Sequence, residues 1–161
     1  MVLILGGIKS GKSAYALHLA GKHPKPRAFV ATAEPFDLEM KARIKRHKKN
    51  RGDEYELFEE SVHIQGILSR LHHRVVVVDC LTVWLANLYH RGLDVDREIT
   101  KLLGALTGKE IFVSNEVGWG VIPEQTPTRE YMEKLAKINR ELAQKADEVY
   151  LMVAGIANRI K

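Results

Sequence analysis

Apolar residues follow two rhythms along this chain. Short unbroken aliphatic runs alternate with longer stretches in which apolar positions recur every three or four residues. These are the patterns of strands buried on both faces and of helices packed on them. The runs are Met-Val-Leu-Ile-Leu at 1–5, Ala-Phe-Val-Ala-Thr at 28–32, Val-Val-Val-Val-Asp at 75–79 and Glu-Ile-Phe-Val-Ser at 110–114, with a shorter one at 55–58 and a closing one at 148–153. Helical spacing predicts helices over 13–20, 37–50, 62–71, 82–89, 95–106 and 128–146. The first puts Ala14, Leu17 and Ala20 on one face, and the last carries a stripe of Tyr131, Leu135, Ile138 and Leu142. The helix over 37–50 is mostly polar, with Leu38, Met40, Ala42 and Ile44 to bury, and Gly66 interrupts the one over 62–71. Strands alternating with helices, without repeat or linker, predict one α/β domain over 1–161, a mostly parallel sheet flanked by helices.

The connection after the first strand carries the clearest chemistry. Gly6-Gly7-Ile8-Lys9-Ser10-Gly11-Lys12-Ser13 fits G-x-x-x-x-G-K-[ST] between a predicted strand and a predicted helix, the context a phosphate-binding P-loop requires. Gly6 and Gly11 allow backbone conformations that a β-carbon would obstruct, so that successive N–H groups turn toward one phosphate. Lys12 can set its ammonium against the outer phosphates, and the Ser13 hydroxyl can ligate the Mg²⁺ that bridges them. The positive end of the following helix adds to the attraction.

The run of valines at 75–78 ends in Asp79, the form of a Walker B strand whose carboxylate holds Mg²⁺ or its water; the plainer reading is a cap for the next helix. Thr32-Ala33-Glu34-Pro35 and Asn115-Glu116-Val117-Gly118-Trp119-Gly120 follow other strands, where open α/β sheets place ligand-contacting loops. Glu116 is a candidate general base by position alone, and a supporting structural role fits it equally.

Composition narrows the setting. A hydrophobic share of 45% is that of an ordinary globular protein, and no apolar run approaches the length of a membrane span. A single cysteine, Cys80, excludes an internal disulfide and suits a reducing cytoplasm; it reads as a small buried residue at a strand end. The net charge of +5 favours an anionic ligand. Much of that charge sits in Lys41, Arg43, Lys45, Arg46, Lys48, Lys49 and Arg51, with His47 among them.

Two readings of His47 follow. It can belong to a solvated basic face, as charge runs usually do. Alternatively, neighbouring cations lower an imidazole pKa and stabilise a phosphoryl group under attack, which suits a nucleophile toward phosphorus.

Taken together, these motifs resemble the bifunctional adenosylcobinamide kinase/adenosylcobinamide-phosphate guanylyltransferase family over essentially the whole chain. The resemblance is carried by the P-loop, Ala31-Thr32-Ala33, Glu39-Met40, Arg43-Ile44, His47-Lys48, Asp79-Cys80-Leu81-Thr82 and Asn87-Leu88. It continues through Ser114-Asn115-Glu116-Val117-Gly118, Val121-Ile122-Pro123-Glu124, Asn139-Arg140, Ala146-Asp147-Glu148-Val149 and Val153-Ala154-Gly155-Ile156. It implies a RecA-like P-loop fold, a homotrimer, and two reactions with ATP or GTP and Mg²⁺. One phosphorylates adenosylcobinamide; the other transfers GMP from GTP to adenosylcobinamide phosphate through a GMP–histidine intermediate, with His47 as the nucleophile. It further implies nucleotide contacts from the P-loop, Ala31, Thr32, Ala33, Lys48, Lys49, Asn50, Arg51, Glu60 and Asp79, with Ser13 and Asp79 at the metal. The sequence departs from the family's pattern at Arg46, where a second His is common, at Asp79, where Glu is also used, and in a shorter stretch between Tyr89 and Lys109.

Two other readings compete. A plain small-molecule P-loop kinase needs no nucleotidyl step. A RecA-like ATPase would hold nucleic acid on the basic stretch, although few aromatics accompany it for stacking.

Overall fold

A computed structural model describes residues 1–34, 54–72 and 75–161. The strands are β1 (Val2–Gly6), β2 (Arg27–Ala31), β3 (Tyr55–Glu59), β4 (Val75–Asp79), β5 (Glu110–Val113), β6 (Glu148–Val153) and β7 (Ile156–Arg159). Among the described residues the helices are α1 (Lys12–Gly21), α2 (Ile64–Leu68), α3 (Leu81–His90), α4 (Val95–Gly104) and α5 (Thr126–Lys145). One seven-stranded sheet results, in the order β3-β2-β4-β5-β1-β6-β7. All neighbouring pairs are parallel except β6–β7.

Strand alternation divides the core in two. Leu3, Leu5, Ala28, Val30, Val76, Val78 and Phe112 face one side and meet α2, α3, α4 and α5. Ile4, Phe29, Val75, Val77, Ile111, Val113 and Met152 face the other, against Ala16 and Ala20 of α1. Burial on both faces explains why these strands are continuous apolar runs. Trp84 of α3 is the largest fully buried side chain, and its indole N–H donates to the Val62 carbonyl at 2.7 Å, so its polar edge is satisfied.

The pattern-based expectations hold for the mostly parallel sheet and, to within one residue at each end, for the strands over 1–5, 28–32, 55–58, 75–79, 110–114 and 148–153. Three details differ. The strand over 148–153 does not close the sheet: a two-residue turn with Ala154 at φ 51° and Gly155 at φ 85° leads into antiparallel β7. Positive φ at both turn residues is the geometry of a tight hairpin, but Ala-Gly lacks the Asn or Asp that usually announces it. The helix over 62–71 contracts to Ile64–Leu68. In α1 the buried residues are Lys12, Ala16 and Ala20, while Ala14 is exposed and Leu17 half-buried, because positions four residues apart form the one stripe that faces inward. The helix expected over 37–50 lies outside the described residues.

Candidate nucleotide-binding and transfer site

The P-loop is pre-shaped by its own residues. Gly6 sits at φ 147°, and a Cβ there would meet the Met152 carbonyl oxygen at 2.5 Å, so only glycine fits beside β6. Lys9 and Gly11 are left-handed, at φ 55° and 96°, and Gly11 is the residue from which α1 starts. Ser10 N–H donates to the Gly7 carbonyl at 3.3 Å, and Tyr15 N–H makes the first helical bond to Gly11 at 3.0 Å. Lys12 is buried, its ammonium donating to the Gly7 carbonyl at 2.6 Å. That bond holds the lysine along the loop that would wrap the phosphates. The β6–β7 hairpin braces the loop from outside, since Gly155 N–H donates to the Ser10 carbonyl at 3.1 Å.

Parallel pairing brings the other predicted elements to the same edge. Asp79 ends β4 in register with Ala31 of β2 and Val113 of β5, and Val113 is in register with Ile4 of β1. The Walker-type carboxylate thus ends the strand two places from the P-loop strand, at the same C-terminal edge of the sheet. Cys80 follows it and is buried, as expected for a strand-end thiol.

Thr32 is fully buried, and its side chain serves the scaffold. Its hydroxyl donates to the Cys80 carbonyl and accepts from the Cys80 N–H, both at 2.8 Å. The ends of β2 and β4 are thereby stitched together. Glu60 N–H donates to the Ala31 carbonyl at 3.0 Å, while the Glu60 carboxylate accepts from the Val62 and His63 amides at 2.9 and 2.8 Å. Ala31 and Ala33 are half-buried beside them. His47, Lys48, Lys49, Asn50 and Arg51 lie outside the described residues.

The structure assigns supporting roles that sequence pattern left unassigned. Asn87 of α3 is buried and donates to the carbonyls of both Thr32 and Ser61, at 2.9 and 3.0 Å, tying β2 to the chain that returns after β3. Glu34, on the last described residue before the basic stretch, accepts from the Ser61 hydroxyl and pairs with Arg91. The Ser61 bond first, and then Arg91, hold its carboxyl below the ordinary carboxylate range.

A second set of bonds fixes the loop after β5. Thr82 Oγ1 accepts from Asn115 N–H at 2.8 Å, and Asn139 of α5 donates to the Asn115 carbonyl at 3.0 Å. The Tyr131 hydroxyl donates to the Thr82 carbonyl at 2.8 Å. Burial is the main reason the Tyr131 phenol is pushed far above its ordinary pKa, which keeps it a donor. Glu116 N–H donates to the Gly6 carbonyl at 3.2 Å, joining this loop directly to the P-loop. Thr82, Asn87 and Asn139 are polar residues on otherwise apolar helix faces and fall in segments that carry the family resemblance, but neither signal indicates which groups they bond.

Oxygen donors of the type Mg²⁺ takes stand at this edge in the Ser13 hydroxyl, on the first turn of α1, and the Asp79 carboxylate. Among the described residues no helix is long and apolar enough to cross a membrane.

Comparison with known proteins identifies the family. The CobU family model, described as cobinamide kinase / cobinamide phosphate guanyltransferase, matches residues 2–160. The bifunctional adenosylcobalamin biosynthesis protein CobP of Pseudomonas aeruginosa is 36% identical, over 99% of this chain and 96% of its own length. The corresponding CobU protein of Escherichia coli is 32% identical, over 100% of this chain and 99% of its own. In fold, the flagellar accessory protein FlaH of Methanocaldococcus jannaschii superposes with a TM-score of 0.52 at 14% identity, covering 99% of this chain and 77% of FlaH. This likeness concerns the fold alone, a mostly parallel sheet flanked by helices. With the P-loop, the Walker-type strand and the Asn-Glu-Val-Gly loop assembled on one sheet edge, the chain belongs to the cobinamide kinase / cobinamide phosphate guanyltransferase family.

Proposed function

We propose that this protein phosphorylates adenosylcobinamide with a nucleoside triphosphate and then converts the product to adenosylcobinamide-GDP. The observation that carries the reading is a P-loop already shaped for phosphates in a chain matched end to end by a cobinamide kinase family. In the first reaction the acceptor hydroxyl attacks the γ-phosphorus, the bond to the β-phosphate oxygen breaks, and the nucleoside diphosphate leaves. Backbone N–H groups of 7–13 and the Lys12 ammonium hold the phosphates and offset charge that develops on the leaving oxygen. Mg²⁺, held by Ser13 and Asp79, would supply further charge neutralisation when bound.

In the second reaction the His47 imidazole attacks the α-phosphorus of GTP and pyrophosphate leaves. The phosphate of the acceptor then attacks the same phosphorus, the bond to His47 breaks, and the imidazole is regenerated. Lys48, Lys49, Asn50 and Arg51 would contact the phosphates or the nucleoside beside it. Ala31, Thr32, Ala33 and Glu60 border the site, Thr32 through the bonds that position Cys80 and Asp79. The protein works as a homotrimer in the cytoplasm, without nucleic acid as a substrate.

GTP labelled on its α-phosphate tests the nucleotidyl step. With Mg²⁺ and no acceptor, the denatured wild type is expected to retain label that acid removes and alkali leaves, and His47→Ala to retain none. An unlabelled but GTP-binding wild type would leave a plain P-loop kinase as the function.

A further inference from the structure

The loop between β5 and α5 is held firmly at both ends and displays its apolar side chains to solvent. At one end Thr82 and Asn139 fix the Asn115 amide and carbonyl. At the other, the Arg129 guanidinium donates to the carbonyls of Pro123 and Glu124 and to the Thr126 hydroxyl. Between these anchors Trp119 is 74% exposed, Val121 93% and Ile122 77%. Large apolar side chains grouped on an anchored loop lose nothing to solvent only when something apolar covers them. From Val117 to Pro123 the loop carries no charged residue, so an anionic partner gains nothing there.

We infer that this loop is the seat of the acceptor's macrocycle, with Trp119 as its main contact and Val121 and Ile122 beside it. The inference rests on the cobinamide kinase reading above. A corrinoid is broad and flat, its faces are hydrocarbon-rich and it bears no anionic group, which matches an uncharged apolar platform. Its reacting hydroxyl is on a flexible arm and must reach the γ-phosphate at the P-loop. Position supports the match: Glu116 N–H is bonded to the Gly6 carbonyl, and Trp119 follows three residues later. A ligand whose arm enters the P-loop can therefore reach this loop with its body. Ile8, on the P-loop itself, is also exposed and extends the apolar character of that edge. A second copy of the chain is the less fitting occupant. Three side chains supply far less than the roughly 800 Å² per partner of a stable protein interface, so this loop by itself is not the subunit contact of the proposed homotrimer.

Kinase rates with adenosylcobinamide varied at saturating nucleotide test this in the full chain, using wild type, Trp119→Ala and Trp119→Phe. Trp119→Ala is expected to raise the KM for adenosylcobinamide about tenfold, corresponding to about 1.4 kcal/mol of lost contact, with the nucleotide KM within twofold of wild type. Trp119→Phe should recover most of the loss, because an aromatic face is retained. Equilibrium dialysis of adenosylcobinamide against the same three proteins should give the same order without turnover. An unchanged corrinoid KM and affinity in a folded Trp119→Ala variant would overturn the inference. So would a fall in sedimentation mass accompanied by weaker nucleotide binding, which would make the loop a subunit contact. A wild type that turns over no adenosylcobinamide would instead defeat the kinase reading itself, before any variant is compared.

Discussion

Two loops at the same sheet edge achieve fixed shapes by opposite means. The P-loop is shaped largely from within. Gly6 and Gly11 adopt conformations closed to other residues, and Lys12 bonds back to Gly7, five residues away. The loop after β5 is shaped from outside. Its Asn115 is gripped by Thr82 and Asn139, which are 33 and 24 positions distant in sequence. The first loop would meet the phosphates common to every P-loop protein, where local backbone geometry suffices. The second is assigned to the acceptor, and its form depends on where α3 and α5 settle on the sheet. Phosphate capture is thus built into a short sequence, while acceptor specificity is built into the tertiary fold.

Mutations can break this comparison from either side. The largest effect is expected at Lys12. Lys12→Ala removes the charge that would meet the outer phosphates and should lower kcat for the kinase step by about 10²–10³-fold, read in steady-state assays with unchanged folding by circular dichroism. Gly6→Ala comes next. The added methyl would stand 2.5 Å from the Met152 carbonyl and 2.8 Å from the Ser10 hydroxyl at a φ of 147°, so the P-loop or β6 must shift. A loss of about 1–3 kcal/mol is expected in denaturant unfolding, together with weaker nucleotide binding.

Asn139→Ala attacks the second loop. It leaves the Asn115 carbonyl without this donor and should cost about 1–2 kcal/mol. The sharper readout is kinetic: the KM for adenosylcobinamide should rise more than that for the nucleotide, the reverse of Gly6→Ala. Equal changes in both constants would mean that the two loops are not separable. Thr82→Val keeps the side-chain shape and removes one acceptor, so a smaller loss of about 1 kcal/mol with the same kinetic bias is expected.

The smallest effect concerns pH. The Glu34 carboxyl is held below its ordinary value of 4.5 by Ser61 and then Arg91. A carboxyl with a depressed folded pKa contributes stability above its unfolded pKa and loses it as pH falls through the folded one. Thermal unfolding of Glu34→Gln and wild type should therefore differ above pH 4.5 and converge in more acid solution. A constant difference across that window would assign the Glu34 contribution to packing alone.

The legibility of the chain follows the same division. The P-loop could be read because its glycines and lysine act where they stand in sequence. The valine run ending at Asp79 could be read because a strand buried on both faces must be continuously apolar. The Asn-Glu-Val-Gly segment was recognisable as a loop and as a family signature, but its anchoring was not. Thr82, Tyr131 and Asn139 act on it through the packing of two helices, and no periodicity encodes a hydrogen bond between them.

Thr32 makes the point at a single residue. Its place after a strand suggests a ligand contact, yet its hydroxyl is committed at both donor and acceptor to Cys80, 48 positions away. The β6–β7 hairpin gives another case. Ala154 and Gly155 carry a weak turn signal, and the turn forms where β7 completes the sheet and Gly155 braces Ser10. By itself, the sequence determined a parallel α/β sheet, a phosphate loop and an acid at the end of another buried strand, because each depends on local conformational preference or on burial of a contiguous run. The tertiary structure decided which polar side chains hold the site and which apolar ones face solvent, because both depend on distant segments meeting at one edge.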